Sequence, residues 1–258
     1  MKISVTKIKC FESCRRAYKF RYIEGLESVQ KADALATGIN YHERIEQLYK
    51  DGYCTVNDCS VESAMSLAYE KYVYPLFKVK AVEKQFEYPL GEHVLIGRVD
   101  GVAEDGIIVE HKTTSSNNLE EYEYNLQWDE QILAYMLGYG ARKMWYTVIR
   151  KPSIRKKKDE TDEEFFDRMC KWYDEDTDQK IKVILIERTD EQVEDFRKNI
   201  GILADMMKEA EKNEELLYRN PLHCNCWGRR CEYSGICLNY VPGQQYIDFV
   251  QKEGKNDF

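Results

Sequence analysis

Asp100, Glu110 and Lys112 fall within one short stretch, IGRVDGVAEDGIIVEHKTT (96–114), on what reads as two strand runs joined at Glu-Asp-Gly. Asp105-Gly106 is a hairpin turn signal, and folding the chain there brings Asp100 opposite the stretch from Glu110 to Lys112. Side chains alternate along a strand, so Glu110 and Lys112 share one face while His111 points to the other. Two carboxylates held together ask for a counterion, and a hard divalent cation such as Mg²⁺ or Mn²⁺ prefers carboxylate oxygen. A lysine beside them can position or deprotonate a water while the ion polarises a phosphoryl oxygen. The bland alternative is a solvated strand, since Asp followed by Glu-x-Lys arises by chance in many chains.

The surrounding elements must hold these groups in place. Ile3 to Ile8 reads as a short β-like run, followed by SCRRAYKFRYIEGL as a helix start. That helix would carry a basic, aromatic surface of Arg15, Arg16, Lys19 and Arg21 with Tyr18, Phe20 and Tyr22. Ala34 to Tyr49 has helical spacing, with Ile39, His42, Ile45, Glu46 and Tyr49 near one stripe. A second helix is expected over Val61 to Tyr72, strands from Val82 to Thr114, and a helix from Glu121 to Gly138. KMWYTVIRKP and QKIKVILIER read as strands flanking a charged stretch, Ile154 to Glu164, and a long helix runs from Glu191 to about Leu217. Strands interleaved with helices point to an α/β or α+β core.

The chain has 258 residues, 43% hydrophobic and 12% aromatic, enough for one sizeable core or a domain with a cap. No apolar run approaches the roughly 20 residues that span a bilayer, and MKISVTKIKCFESC has no apolar signal region. We expect a soluble, cytoplasmic protein with no membrane partner. The net charge of −8 argues against a general nucleic-acid binder, although metal-holding acids also lower the formal total. Nine cysteines in such a chain do not read as a disulfide framework. Cys224, Cys226, Cys231 and Cys237 crowd into HCNCWGRRCEYSGIC, which favours a metal or iron–sulfur site. By spacing alone these four could make a small zinc site.

GRVDG followed by VEHKT resembles the core of the PD-(D/E)XK nuclease superfamily in its RecB-like branch, which includes CRISPR-adaptation exonucleases and phage recombination nucleases. TGINYHERIE is similar to that branch's Gly-x-x-x-His helix, and QILAY to its Gln-x-x-x-Tyr helix. VIRKPSIRKKKDETDEEFFDRM is similar to the phage-type relatives, and the resemblance runs from about Ser4 to Cys237. It implies a restriction-endonuclease-like α/β fold: a central mixed sheet flanked by helices, with an iron–sulfur clasp joining the N- and C-terminal segments. It also implies one nuclease domain over 1–258. Within it, 1–80 would be the N-terminal cysteine segment and helices, 81–217 the nuclease core, 218–240 the cysteine cluster and 241–258 a tail.

The resemblance assigns roles residue by residue. His42 completes a metal site with Asp100 and Glu110, and residue 111 offers its main-chain carbonyl, leaving the His111 side chain free to vary. Lys112 is catalytic, with Gln131 and Tyr135 beside it, one helical turn apart and facing the same way. The clasp takes its first ligand from SCRRAYKFRY, so Cys14 joins Cys231 and Cys237 on a [4Fe–4S] cluster, zinc being the alternative. Cys224, six residues before Cys231, is the favoured fourth ligand; Cys226 competes, and Cys10 stands aside.

These readings describe a metal-dependent deoxyribonuclease, acting at DNA ends rather than as an endonuclease because no separate base-reading module is evident. Its setting would be phage replication or recombination, or CRISPR spacer acquisition, with partners to match. Six of the nine residues 150–158 are basic and could follow a phosphate backbone, although DETDEE follows at once. Tyr18 and Tyr22 among their arginines would make a second strand-guiding surface, suited to single strands. The alternatives are a non-catalytic DNA-binding or assembly subunit with the same fold, and a zinc-stabilised interaction protein.

Overall fold

β1 (Lys2–Ile3) gives way at once to α1 (Val5–Ser13), so the strand expected over Ile3 to Ile8 is mostly helix. Ser4 explains the difference: its side chain caps the helix by accepting from the Lys7 N–H, and Ile8 and Phe11, three apart, share a buried face. The computed structural model describes residues 1–29, 33–226 and 229–251, with Asp33, Ala34, Leu35, Cys226 and Arg229 described by their backbone alone. Next come α2 (Arg15–Tyr18), a π-helical turn (Lys19–Ile23), β2 (Leu26–Ser28), α3 (Asp33–Asp51) and α4 (Val61–Tyr72). Three strands follow, β3 (Val79–Leu90), β4 (His93–Ala103) and β5 (Ile108–Thr114).

The helix expected over Glu121 to Gly138 is two, α5 (Leu119–Asn125) and α6 (Glu130–Tyr139). A 3₁₀ turn, Leu126–Trp128, separates them, and Asp129 caps α6 by accepting from the Gln131 N–H at 3.1 Å. After β6 (Lys143–Arg150), the charged stretch ends in α7 (Asp162–Asp174), started by a capping box between Thr161 and Glu164. β7 (Ile181–Glu187) and α8 (Asp190–Lys212) precede the short pairs β8 (Asn225–Cys226) and β9 (Arg229–Arg230), and β10 (Phe249–Gln251). β10 pairs antiparallel with β2.

The main sheet runs β1-β4-β5-β6-β7, with β3 also on β4. β1/β4 and β5/β6 are parallel, and β4/β5 and β6/β7 antiparallel. This is the expected mixed sheet flanked by helices.

The chain forms two compact units. One holds 32–86 and 98–192, that is α3 to α7, β5 to β7 and parts of β3 and β4. In its core Tyr41, Ile45 and Leu48 of α3 meet Met65 and Tyr69 of α4. The buried stripe of α3 is therefore 41, 45 and 48, whereas Ile39 is 45% exposed.

The other unit holds 1–31, 87–97 and 193–258. Phe20, Leu26, Tyr233 and Ile236 form its core around the C-terminal cysteines. Of the aromatic surface expected near the N-terminus, Tyr18 and Phe20 are fully buried, whereas Tyr22 is half-buried. Its cations are also committed: Lys19 to Glu214, Arg21 to Glu232 at 2.8 Å, and Arg16 to the Leu217 carbonyl at 3.1 Å. These pairings help build the fold of this unit.

Candidate active site

The β4–β5 hairpin turns where Gly106 takes a left-handed φ of 87° and the Asp105 carboxylate accepts from the Ile107 N–H at 3.0 Å. Gly101 pairs with Val109, and continuing that register sets Asp100 alongside Glu110. Asp100 Oδ2 accepts from the His111 main-chain N–H at 2.7 Å, and Oδ1 lies 3.3 Å from His42 Nδ1 of α3. Lys112 Nζ donates to Glu110 Oε1 on the shared face of β5. Glu110 Oε2 is buried and has no hydrogen-bond partner. The structure thus brings together four of the residues singled out above: His42, Asp100, Glu110 and Lys112.

Their charges are mutually dependent. Burial alone would push the Asp100 carboxyl up, but the His42 hydrogen bond and the nearby positive charges outweigh it and hold Asp100 well below the usual range. Glu110 goes the other way: burial, then the Asp100 charge, push it up to about 8 against the pull of Lys112. Burial opposes the Lys112 ammonium, yet Glu110 and Asp100 raise its pKa well above the ordinary value. His42 is likewise raised, because its bond to Asp100 overrides burial. A buried carboxyl that is costly to ionise, with one oxygen orphaned, fits a divalent cation held with Asp100 and His42.

On the opposite face of β5 the His111 imidazole is buried among polar and aromatic partners. It is 2% exposed, with Nδ1 2.8 Å from Thr147 Oγ1 and 3.3 Å from the Tyr69 hydroxyl. Thr147 in turn donates to the Glu110 carbonyl at 3.3 Å, and the Tyr49 ring of α3 stacks on the imidazole. Burial pushes His111 down to about 4, so it is a neutral peg that ties α3 and α4 to the strand bearing Glu110.

Gln131 Nε2 donates to the Tyr135 hydroxyl at 2.5 Å, and burial followed by the Glu110 charge raises the Tyr135 phenol. Gly138 lets α6 lie against β3, since a Cβ there would overlap the Phe86 ring, which also meets the Tyr135 ring edge-on. Sequence reasoning missed two neighbours. Tyr122 of α5, 3.4 Å from the Tyr146 hydroxyl, feels both Lys112 and Glu110. Glu83 has a left-handed φ of 50° and pairs with Arg98 at 2.6 Å. Its carboxyl is pushed up by burial, against Arg98, and by the charges of Asp100 and Glu46. Only the positive φ marks Glu83, and no sequence motif carries that signal.

Residues 2–73 and 60–238 match the sequence profile of the PD-(D/E)XK nuclease superfamily. The chain belongs to that superfamily. No curated protein matches its sequence. Among solved structures, a protein from Eubacterium rectale described as a candidate exonuclease is 12% identical with a TM-score of 0.53, covering 95% of this chain and 90% of that one. A phage-related exonuclease from Haemophilus somnus is 16% identical with a TM-score of 0.40, covering 78% and 95%. An alkaline exonuclease from Laribacter hongkongensis is 12% identical with a TM-score of 0.37, covering 84% and 94%. The Eubacterium structure shows a shared fold. PD-(D/E)XK nucleases use divalent metals, in keeping with the paired carboxylates. Among the described residues, no helix is long and apolar enough to cross a membrane.

In the other unit of this PD-(D/E)XK chain, Cys14 ends α1, and its sulfur accepts from the Asn220 N–H at 3.3 Å. The Cys231 N–H donates to the Cys224 carbonyl at 3.0 Å. Burial raises the thiols of Cys231 and Cys237, and both feel Cys14 and Cys224. Burial pushes the Cys10 thiol up to about 11 against the Arg21 charge, with Glu232 and then Cys14 and Cys231 adding. The Cys226 side chain, the competing fourth ligand, lies outside the described residues. Among the described residues, no three of these sulfurs lie within 4.8 Å of one another, so the thiols gather without closing into a single-ion ligand set.

Proposed function

We propose that the chain is a divalent-metal-dependent deoxyribonuclease hydrolysing phosphodiester bonds at DNA ends. The observation that carries this reading is the convergence of Asp100, Glu110, Lys112 and His42 around a buried, partnerless carboxylate oxygen. In it, Asp100 and Glu110, with His42 and the main-chain carbonyl of His111, hold Mg²⁺ or Mn²⁺. The bound ion supplies a Lewis acid for a phosphoryl oxygen and lowers the pKa of water. Lys112, tethered to Glu110, directs the attacking water in line with the scissile bond. Gln131 and Tyr135 bond a phosphate oxygen, the amide orienting the phenol so that its O–H is aimed outward. Action at ends, and a setting in phage replication or recombination or in CRISPR spacer acquisition, rest on the resemblance to nucleases of the RecB-like branch.

The four thiols Cys14, Cys224, Cys231 and Cys237 are assigned to a structural [4Fe–4S] cluster, with zinc as the alternative occupant. Support comes from their shared electrostatic field and from the absence of disulfides among the described cysteines. Reduced thiols also fit a cytoplasmic protein.

The test uses anaerobically purified protein and end-labelled single- and double-stranded DNA. Degradation is expected with Mn²⁺ or Mg²⁺ and none with EDTA, and Asp100→Asn is expected to lose activity at least about 100-fold. DNA binding without cleavage under either ion would make the chain a binding or assembly subunit.

A further inference from the structure

The basic run at 150–158 looks self-neutralised in sequence, because six cations are followed at once by acids. The structure sorts these charges. Arg150 turns inward, stacking over Trp172 at 5.4 Å and donating to the Gln179 carbonyl at 2.9 Å. Lys156 pairs with Asp162 at 2.5 Å. Glu164 is used in the capping box that starts α7. Glu160, its side chain 9% exposed, is gripped by Arg168 through Nε at 2.7 Å and Nη2 at 2.8 Å, and also accepts from the Lys157 N–H at 2.8 Å. The same Arg168 donates to the Arg155 carbonyl at 2.8 Å, so the loop is clamped to α7 at two points. Three of the following acids are therefore spent on local structure. Arg155, Lys157 and Lys158 are left exposed, with no ion-pair partner among the described residues.

The loop also leaves the sheet at a telling place. In the parallel β5–β6 register Lys112 faces Val148 and Thr114 faces Arg150. The Lys151 N–H then donates to the Thr114 carbonyl at 2.8 Å, and Arg150 Nη2 to Asn117 at 2.6 Å. The basic stretch thus begins two residue steps, roughly 7 Å of strand, beyond Lys112 at the same end of the sheet.

We infer that Arg155, Lys157 and Lys158 form a preshaped contact site for the phosphate backbone of the DNA strand lying at the Lys112 site. The inference rests on the nuclease reading for its choice of DNA. A clamped loop loses little conformational freedom on binding, which lowers the cost of holding three phosphates.

The test is DNA binding by fluorescence anisotropy across a salt series, in a Lys112→Ala background so that no cleavage intervenes. Replacing Arg155, Lys157 and Lys158 together with Ala is expected to reduce the slope of log affinity against log salt by about 2 to 3, the loss of three backbone contacts. Lys156→Ala, which removes a cation already held by Asp162, is expected to leave the slope nearly unchanged. An unchanged slope in the triple variant, or an equal fall per charge in Lys156→Ala, would overturn the inference. Binding is read whether or not the wild type cuts. A chain that binds DNA through these residues without cutting sinks only the nuclease reading, and one that cuts with an unaltered slope sinks only this site.

Discussion

Glu110 and His42 make the site's charge a function of pH. Burial and Asp100 push Glu110 up to about 8, and Asp100 raises His42 against burial. The folded protein therefore keeps protons that the unfolded chain has released, and stability falls as pH rises through that window. His111, lowered to about 4 by burial, acts with the opposite sign but only below its ordinary value of 6.5. In EDTA the melting temperature is thus expected to fall between about pH 6.5 and 8, at up to roughly 1.4 kcal/mol per pH unit for each proton involved. Glu110→Gln should make the slope shallower. Added Mn²⁺ should reverse it, because the ion binds the ionised carboxylate. Scanning calorimetry of the wild type and the variant reads all three; equal slopes for the two proteins would mean that Glu110 titrates normally.

At the level of elements, the hairpin was legible because Asp105-Gly106 and period-two alternation are local signals, and the structure keeps both. The α4 boundaries were legible too, since Ser60 caps the helix and apolar spacing fills it. The N-terminal helix was not, because β-branched residues from Ile3 to Ile8 mimic a strand and a single serine decides otherwise. The break between α5 and α6 depends on Asp129 acting as a cap, which Gln-x-x-x-Tyr spacing alone does not expose. The His111 environment was invisible for a different reason: its partners Tyr69 and Thr147 come from α4 and β6, far along the chain. Gly138 was likewise silent in sequence, although it sets how closely α6 approaches Phe86. Gly138→Ala is expected to cost about 1–3 kcal/mol by overpacking, read from denaturant midpoints; an unchanged midpoint would mean that Phe86 can move aside.

Across the whole molecule, the two proposed sites fall in separate units. His42, Asp100, Glu110 and Lys112 belong to one, and Cys14, Cys224, Cys231 and Cys237 to the other. The proposed cysteine set would join positions more than 200 residues apart. By analogy with a disulfide over so long a loop, closing it would stabilise the fold by about 5 kcal/mol. Cys231→Ser is accordingly expected to lose iron, acid-labile sulfide and visible absorbance and to melt far lower than the wild type. A variant with the same melting temperature would contradict a structural clasp, and zinc in place of iron in the wild type would reassign the metal.

The central claim is that the β4–β5 hairpin is a hydrolytic site, and Lys112→Ala tests it most directly. Single-turnover cleavage of prebound, end-labelled DNA would be followed after Mn²⁺ is added to the wild type and the variant. The account predicts that the variant still binds DNA and Mn²⁺ while its cleavage rate falls about 100-fold or more. Cleavage by Lys112→Ala at the wild-type rate would place the chemistry elsewhere in the chain.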